Sequence, residues 1–278
     1  MTKDKSVSVV IPNWNGADKL KKNIPAVIQA VGHQKAAEII VVDDGSTDNS
    51  LEVVRSQFPE VKLIEKSHNS GFSSTVNLGV KHAVGDIVVQ LNSDAKPWEN
   101  FLKFALPHFE DQKVFSVGCN VGGVWNLAEW RDGYFWHHQA DRDKVDLSQS
   151  HQTLWSSGGS GIFRKSIWEE MGGLDELFNP FYEEDLDIGY RATKRGYKNI
   201  WEPKSLVEHY KEPGVIQTNF SPEKIALTAQ RNQLQFIWKN ITSTKMIAEH
   251  QQALVKMLVI HPKYWRIFAS AITRYPSL

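Results

Sequence analysis

Short apolar runs alternate with helical patterns along the first part of the chain. Four runs rich in β-branched residues each predict a strand, at 7–12, 38–44, 61–66 and 86–91. Between them apolar positions repeat at helical spacing, as Leu20, Ile24 and Val31 do, and further helices are predicted over 51–58, 73–83 and 98–109. Alternating strands and helices indicate an α/β fold with a mainly parallel sheet and crossover helices on its faces.

The pattern changes after about residue 112. An apolar run at 114–121 predicts a further strand, an aromatic-rich segment follows, and 199–203 predicts a late strand. Helical patterns lie between these strands and dominate again beyond Pro213. We therefore predict one domain over 1–214, made of halves 1–112 and 113–214, and a C-terminal helical extension over 215–278.

Polar side chains follow each of the first four predicted strands. The pairs are Asn13 and Asn15, Asp43 and Asp44, His68 and Asn69, and Asn92 and Asp94. Turn chemistry alone would explain any one of these pairs. Because ligands bind at the carboxyl ends of strands in such sheets, four polar strand ends together predict a binding site.

Carboxyl groups at two of these ends have a candidate chemistry. Of the adjacent Asp43 and Asp44, one can cap the following helix while the other faces a cleft and accepts the N3–H of a pyrimidine. Asp94 offers a hard oxygen ligand for Mg²⁺ or Mn²⁺ on a diphosphate, or forms an ordinary turn before Pro97. The residues alone leave both alternatives open.

A second acidic group lies far along the chain, where Glu183, Glu184, Asp185 and Asp187 fall within five residues. One interpretation is surface charge that complements the dipole of a helix start. The other is a general base, because like charges in a cleft raise one another's pKa towards neutrality. His209 likewise fits a structural histidine or a ligand.

Composition excludes several classes of protein. The 278 residues carry 32 basic and 32 acidic side chains, without the basic excess of a nucleic-acid binder. The single cysteine, Cys119, forms no disulfide framework and fits a reducing, cytoplasmic location. No window of about 18 uncharged apolar residues predicts a membrane span. The P-loop, dinucleotide and nucleophile-elbow motifs are all missing from the sequence.

Four separated blocks together resemble family 2 glycosyltransferases of the GT-A fold. They are "VSVVIPNWNG", "EIIVVDDGSTDNS", "NSGFSSTVNLGVKHAVGDIVVQLNSD" and "GGLDELFNPFYEEDLDIGYRATKRGY" continued to "VEHY", in the family's order. The resemblance covers roughly residues 6–210 and is strongest to the rhamnosyltransferase-like branch. It implies that 1–112 is the nucleotide-binding half and 113–214 the acceptor and catalytic half.

The resemblance also implies roles for individual residues. Asp185 corresponds to the catalytic base, and Asp94 with His209 to the site of a divalent metal, Mg²⁺ or Mn²⁺. The nucleotide-sugar side comprises Pro12, Asn15, Asp43, Asp44, Asn69, Gly71, Asn77 and Asn92. The acceptor side comprises Gly158, Gly159, Glu184 and Arg191.

One departure from the family pattern concerns the metal motif. The family's DxD reads Asn92-Ser93-Asp94 here, so the first acid is lost. One carboxylate and one histidine make a thin ligand set, which diphosphate and water must complete.

The function implied is inverting transfer of a sugar from a UDP- or dTDP-linked donor, with dTDP-rhamnose as one candidate. The acceptor is a hydroxyl of a glycan or a lipid-linked glycan in cell-surface polysaccharide synthesis. Two alternatives are a sugar-nucleotide pyrophosphorylase and a non-catalytic carbohydrate-binding module. A pyrophosphorylase would need a glycine-rich basic loop after the first strand, whereas "PNWNGADKL" has one glycine and no arginine.

Two aromatic regions have open roles. Trp125, Trp130, Tyr134, Phe135 and Trp136 either floor an acceptor site or form a core or interface patch. The lysines and aromatic residues of the extension either rest peripherally on a membrane or pack back on the domain. The oligomeric state does not follow from the sequence.

Overall fold

The computed structural model describes residues 5–32, 34, 37–209 and 214–275. The strands are β1 (Val7–Asn13), β2 (Ala37–Asp43), β3 (Lys62–Glu65), β4 (Ile87–Leu91), β5 (Ala95–Pro97), β6 (Val114–Asn120), β7 (Asn126–Arg131), β8 (Tyr134–Gln139), β9 (His151–Thr153), β10 (Ser160–Arg164) and β11 (Lys198–His209). The helices are α1 (Ala17–Val31), α2 (Ser50–Gln57), α3 (Phe72–His82), α4 (Phe101–Ala105), α5 (Lys165–Glu170), α6 (Glu184–Lys194), α7 (Val215–Asn219), α8 (Pro222–Asn240), α9 (Thr244–Ile260) and α10 (Tyr264–Ile272).

A mixed sheet forms the centre of the molecule, in the order β3-β2-β1-β4-β10-β6-β11-β5, with β9 paired to β11. The four strands from the first part of the chain are parallel, as predicted. Strand β10 runs antiparallel between β4 and β6. This insertion matters for the site, because it brings the residues that precede β10 to the carboxyl end of β4.

Helices cover both faces of the sheet, and strand alternation divides the core between them. Val9 and Ile11 of β1 pack with Leu20 of α1 on one face. Val10, between them, packs with Val76 of α3 on the other face. Because both faces are buried, the central strands read as continuous apolar runs.

A hairpin occupies the aromatic-rich segment, which the sequence pattern did not resolve. Strands β7 and β8 pair through a two-residue turn, Asp132-Gly133, in which both residues have positive φ. This conformation is the one that Asp-Gly favours in a tight hairpin. A Cβ on Gly133 would lie 2.6 Å from the carbonyl oxygen of Glu249, so the turn also packs closely against α9.

The C-terminal helices pack on the domain through a third core cluster. Tyr134 and Phe135 of the hairpin are buried against Leu234, Phe236 and Ile237 of α8. The predicted boundary between domain and extension adjoins residues 210–213, which lie outside the described residues, so that division stays a prediction. Among the described residues, no helix is long and apolar enough to cross a membrane.

Candidate active site

A cavity of about 640 Å³ opens at the carboxyl ends of β1, β2 and β4. Four side chains that are distant in the sequence line it together: Asp44, Asp94, Asp185 and His209. Parallel strands bring the first two to the same edge of the sheet. The other two arrive from the start of α6 and the end of β11. The arrangement joins both acidic groups of the sequence in one pocket.

Most of the predicted site residues lie in the cavity wall. These are Pro12, Asp44, Asn69, Gly71, Asn92, Asp94, Gly158, Gly159, Glu184, Asp185 and His209. Asn15, Asp43, Asn77 and Arg191 are not among the described residues that line it. Each of these four side chains has protein partners that hold the surrounding loops.

Asn15 and Asp43 brace the loops that follow β1 and β2. Asn15, at φ 50°, accepts a hydrogen bond from the backbone N–H of Thr47 at 2.8 Å. Asp43 is buried and accepts hydrogen bonds from the Asn13 amide at 2.8 Å and the Ser46 hydroxyl at 2.6 Å. Both residues support loops and lie outside the cavity wall, so their predicted role in nucleotide-sugar binding stays a prediction.

Asn77 and Arg191 support the loop between α5 and α6. The Asn77 amide donates to the carbonyl of Leu174 at 2.7 Å, and its oxygen accepts from the N–H of Leu174 at 2.9 Å. Arg191 contacts Asp187 at 2.7 Å and donates to the carbonyl of Gly173 at 2.7 Å. These contacts satisfy backbone groups, which a sequence pattern does not reveal.

Asp44 combines a cavity position with a structural one. Its two oxygens accept the backbone N–H groups of Ser70 at 2.9 Å and Gly71 at 3.0 Å. The Lys66 ammonium lies 2.7 Å from the same carboxylate and also donates to Thr75 at 3.0 Å. The Ser70 and Lys66 contacts are with Oδ1, whereas Oδ2 accepts the N–H of Gly71 and has a second lone pair that can accept a ligand N–H. Sequence reasoning missed Lys66.

Asp94 and His209 lie side by side and form the candidate metal site. His209 Nδ1 is 3.9 Å from one oxygen of Asp94, and Lys19 Nζ is 3.7 Å from the other. The described residues contain no group of three or more metal-ligating side chains. A carboxylate and an imidazole fit Mn²⁺ or Mg²⁺ only as part of a shell that a bound diphosphate and water complete.

The two glycines before β10 connect the two ends of the cavity. The carbonyl of Gly159 accepts the backbone N–H of Asn92 at 3.1 Å, and the N–H of Gly158 donates to Asp185 at 3.0 Å. A Cβ on Gly159 would lie 2.8 Å from the Asn92 amide and 3.1 Å from the His209 ring. A side chain at 159 would therefore displace Asn92 or His209 from its present position.

Asp185 is held with one face towards the cavity. One oxygen accepts the N–H of Gly158 and the other accepts the N–H of Leu186 at 2.7 Å. Burial raises the pKa of Asp185, and the two backbone hydrogen bonds offset part of that rise. A carboxylate fixed in this way can take a proton from a group bound in the cavity.

Glu184 differs from Asp185 in how its charge is compensated. Its side chain is buried in the cavity wall, and Oε2 accepts no hydrogen bond from the described residues. Burial raises the pKa of Glu184 well above its ordinary value, and the charge of Asp185 raises it further. A neutral Glu184 beside an ionised Asp185 would give the cavity a carboxyl donor as well as a carboxylate acceptor.

Several wall residues escaped the sequence analysis. Trp14, Phe181 and Phe220 form an aromatic side of the cavity, with ring centroids 5.8 Å apart for Trp14–Phe220 and 5.0 Å for Phe181–Phe220. Phe220 comes from the C-terminal extension, so only the tertiary fold reveals it. Trp14 could have been found from the sequence, because it lies between Asn13 and Asn15 at one of the polar strand ends that predicted the site.

The aromatic residues at 125–136 have packing roles. None of Trp125, Trp130, Tyr134, Phe135 and Trp136 is found among the described residues of the cavity wall. Trp125 stacks on His151 with ring centroids 4.0 Å apart, and the Trp130 indole donates to Glu249 at 2.7 Å. The core-patch alternative therefore describes this cluster, and the structure gives it no contact with the cavity.

Comparisons with a family model and with known proteins agree on the family of this chain. The model of glycosyl transferase family 2 matches residues 8–172. N-acetylglucosaminyl-diphospho-decaprenol L-rhamnosyltransferase from Mycobacterium tuberculosis is 22% identical over 216 residues, which are 64% of this chain and 68% of that protein. Minor teichoic acid biosynthesis protein GgaA from Bacillus subtilis is 30% identical over 279 residues, which cover 95% of this chain and 62% of that protein.

A solved structure supports the architecture. GalNAc-T7 with UDP, GalNAc and Mn²⁺ matches with a TM-score of 0.70 at 17% identity. The match covers 86% of this chain but 48% of that one. At this level of identity the likeness concerns the fold.

Proposed function

The chain belongs to glycosyl transferase family 2 and has the GT-A fold, and from that premise we propose that it is an inverting glycosyltransferase. It would move a sugar from a nucleoside-diphosphate donor to a hydroxyl group of an acceptor. One observation carries the proposal: Asp185, with a raised pKa, shares a cavity with Asp44, Asp94 and His209.

Asp185 is the proposed base. It takes the proton of the acceptor hydroxyl as the oxygen attacks the anomeric carbon from the face opposite the nucleotide. The N–H groups of Gly158 and Leu186 fix the carboxylate, and burial brings its pKa closer to the working pH. A positioned base contributes about 10²–10⁴-fold in rate, roughly 3–5 kcal/mol of the barrier.

Asp94 and His209 are the proposed holders of a divalent metal. When bound there, Mg²⁺ or Mn²⁺ would offset negative charge on the diphosphate leaving group. The adjacent positions of the two side chains support this assignment, as does the Mn²⁺ bound by GalNAc-T7. Asp44 and Asn69 are the proposed nucleotide contacts and Glu184 a proposed acceptor-side residue, and their shared position in the cavity wall supports both proposals.

The names of the relatives suggest a class of substrate. A UDP- or dTDP-linked sugar, with dTDP-rhamnose among the candidates, is the proposed donor. A glycan or lipid-linked glycan of the cell-surface polysaccharide pathway is the proposed acceptor, since one relative is named for N-acetylglucosaminyl-diphospho-decaprenol and the other for teichoic acid biosynthesis. A pyrophosphorylase gains no support, because the family match is to transferases.

A donor panel tests the proposal. The protein is incubated with UDP-, dTDP- and GDP-sugars, with and without Mn²⁺, and nucleoside diphosphate release is measured alongside thermal shift. One donor should stabilise the protein through binding to the folded state and be hydrolysed slowly without acceptor. If no nucleotide sugar binds and none is turned over, the transferase assignment fails.

A membrane surface is the proposed location of the acceptor. Residues 244–275 contain five basic side chains and one acidic side chain. Large apolar side chains are exposed on or beside α9 and α10, namely Ile247, Val255, Val259, Ile260, Trp265 and Ile272. Apolar side chains among basic ones favour an anionic lipid surface.

Flotation with vesicles tests that location. The full chain should float with vesicles of phosphatidylcholine and phosphatidylglycerol, and Val259→Glu with Trp265→Glu should abolish flotation. Val84→Glu is the matched control, because Val84 is 80% exposed elsewhere on the surface. Equal flotation of both variants would contradict the proposal.

A further inference from the structure

The β7–β8 hairpin brings a histidine to the segment that carries the base. His137 Nε2, on β8, lies 3.3 Å from Glu183 Oε2, two residues before Asp185. The imidazole also packs edge-on against the ring of Trp155, with centroids 5.5 Å apart. We propose that His137 is a positioning residue for the base: its imidazolium, held beside Glu183, supplies positive charge that keeps Asp185 ionised among its acidic neighbours.

The backbone around Glu183 adopts a conformation that needs support. Tyr182 and Glu183 both have positive φ, at 73° and 76°, a backbone conformation that is strained for residues other than glycine. This conformation directs the Glu183 side chain into the protein, where 8% of it is exposed, towards His137. Strained backbone of this kind clusters at active sites, where the surrounding structure holds residues in the positions that the reaction needs.

The distribution of charge around the start of α6 shows why a cation is needed there. Asp187 is fully buried and already has Lys239 at 2.9 Å, Arg191 at 2.7 Å and the Asn240 amide at 2.8 Å. Those cations lie against Asp187, on its side of α6. Glu183 instead lies beside His137, and the charge of Asp185 acts on the same imidazole.

The pKa values change in the directions that this role requires. Burial lowers the pKa of His137, but Glu183 and then Asp185 reverse that effect and raise the pKa above its ordinary value. The imidazolium in turn offsets part of the rise that burial causes in the pKa of Asp185. The charged and titratable groups around the start of α6 are His137 from the hairpin, Glu183, Glu184, Asp185, Asp187 and Arg191 from α6 and its start, and Lys239 from α8.

The inference rests on the proposed transfer reaction and predicts how the rate of that reaction depends on pH. Replacing His137 by Gln removes the cation, so Asp185 should hold its proton to higher pH. The acid limb of kcat against pH should move to higher pH. At alkaline pH the wild-type imidazole is neutral as well, so the two profiles should converge there.

Matched variants separate charge from packing. His137→Lys restores a cation and should return the acid limb towards the wild-type position, whereas a role in packing alone would not be rescued by lysine. His138→Gln is the control, because His138 is the next residue on the same strand and its side chain therefore points to the opposite face of the hairpin. An unchanged acid limb in His137→Gln, or a shift of equal size in His138→Gln, would overturn the inference.

A measurement without turnover tests the same pairing. The ring protons of His137, assigned by their loss in His137→Gln, are titrated by NMR in the wild-type protein and in Glu183→Gln. The midpoint should fall in Glu183→Gln, and an unchanged midpoint would refute the pairing. A wild-type protein without any transferase activity would instead count against the proposed function, whatever the NMR result.

Discussion

At the scale of single residues, Asp185 is the most exacting test of the site. Asp185→Asn keeps the size of the side chain and removes the proton acceptor, so kcat should fall by about 10²-fold or more. Donor binding, followed by thermal shift or calorimetry, should stay within about threefold of wild type, less than 1 kcal/mol. Glu176→Gln, an exposed acid on the preceding loop, is the control. Near-normal turnover in Asp185→Asn would remove this residue from the mechanism.

Asp94 makes a separate prediction about the metal. Asp94→Ala should weaken Mn²⁺-dependent binding of the nucleoside diphosphate by about tenfold or more, which is 1.4 kcal/mol or greater. Calorimetry with and without Mn²⁺ measures the difference, and Asp18→Asn on the exposed face of α1 is the control. Equal affinity in wild type and Asp94→Ala under both conditions would place the metal elsewhere.

The sequence predicted which strand ends carry polar side chains, but it could not tell which of those side chains line the cavity and which support loops. Asp43 and Asp44 are adjacent in the chain, and both are buried. Asp44 lies in the cavity wall, whereas Asp43 holds Asn13 and Ser46. Alternation along a strand indicates that two neighbours face opposite ways, but not which one faces the ligand. Only the packed loops decide that question.

At the scale of elements, α8 has a role that its sequence did not indicate. Asn232 of α8 is fully buried, and its amide donates to the carbonyls of Phe178, Phe181 and Tyr182 at 2.7–2.9 Å. Helix α8 therefore holds the strained segment that precedes Asp185, the proposed base. A long-range contact of this kind has no sequence period and cannot be read from one chain.

The support that Asn232 gives can be tested with one substitution. Asn232→Ala leaves three backbone carbonyls without this donor and should lower the free energy of unfolding by about 1–3 kcal/mol. It should also reduce kcat more than donor affinity, because the base segment loses its support while the nucleotide side is untouched. Denaturant unfolding and steady-state kinetics measure both effects, with the exposed Gln251→Ala as control. Loss of stability with unchanged kcat would limit Asn232 to a packing role.

The β7–β8 hairpin could have been predicted from a local sequence signal. Asp132-Gly133 lies between aromatic and apolar residues, and an Asp-Gly pair in that setting is a strong short-range hairpin signal. The aromatic content drew attention to ligand stacking instead. By contrast, the antiparallel direction of β10 has no local signal, because a short apolar strand reads the same in either direction.

At the scale of the whole molecule, the buried acids make stability depend on pH. Burial raises the folded-state pKa of Glu183, Glu184 and Asp185 above the ordinary values of 4.5, 4.5 and 3.8. Such groups stabilise the fold below their unfolded pKa, and that contribution is lost as pH rises through the folded pKa. The ligand-free protein therefore carries a cost of folding at neutral pH that arises in its own active site.

Removal of one titrating group should reduce that cost. Glu184→Gln should raise the melting temperature at neutral pH, with the gain shrinking as pH falls towards 4.5, the ordinary pKa of the group. Calorimetric melting across pH measures the effect, and the exposed Glu110→Gln is the control. A lower melting temperature at neutral pH, or a gain independent of pH, would contradict the conclusion that burial of the ionised Glu184 carboxylate destabilises the fold.

The parallel half of the fold followed from periodicity alone, because its strands and helices alternate without interruption. The second half did not, since its strands come from distant segments and run in both directions. The candidate site spans the two halves, so periodicity alone could name its acids, and only the family resemblance implied that Asp44, Asp94, Asp185 and His209 share one pocket.

The two-glycine loop before β10 has a consequence for how this protein can diversify. The N–H of Gly158 holds the Asp185 carboxylate, and Gly159, the next residue, lies against the Asn92 and His209 side chains. A substitution in this loop would therefore disturb two parts of the cavity at once, so we expect changes in acceptor preference to arise at the border of the cavity, such as α7. We therefore expect related proteins to differ at the border of the cavity and to keep both glycines of this loop.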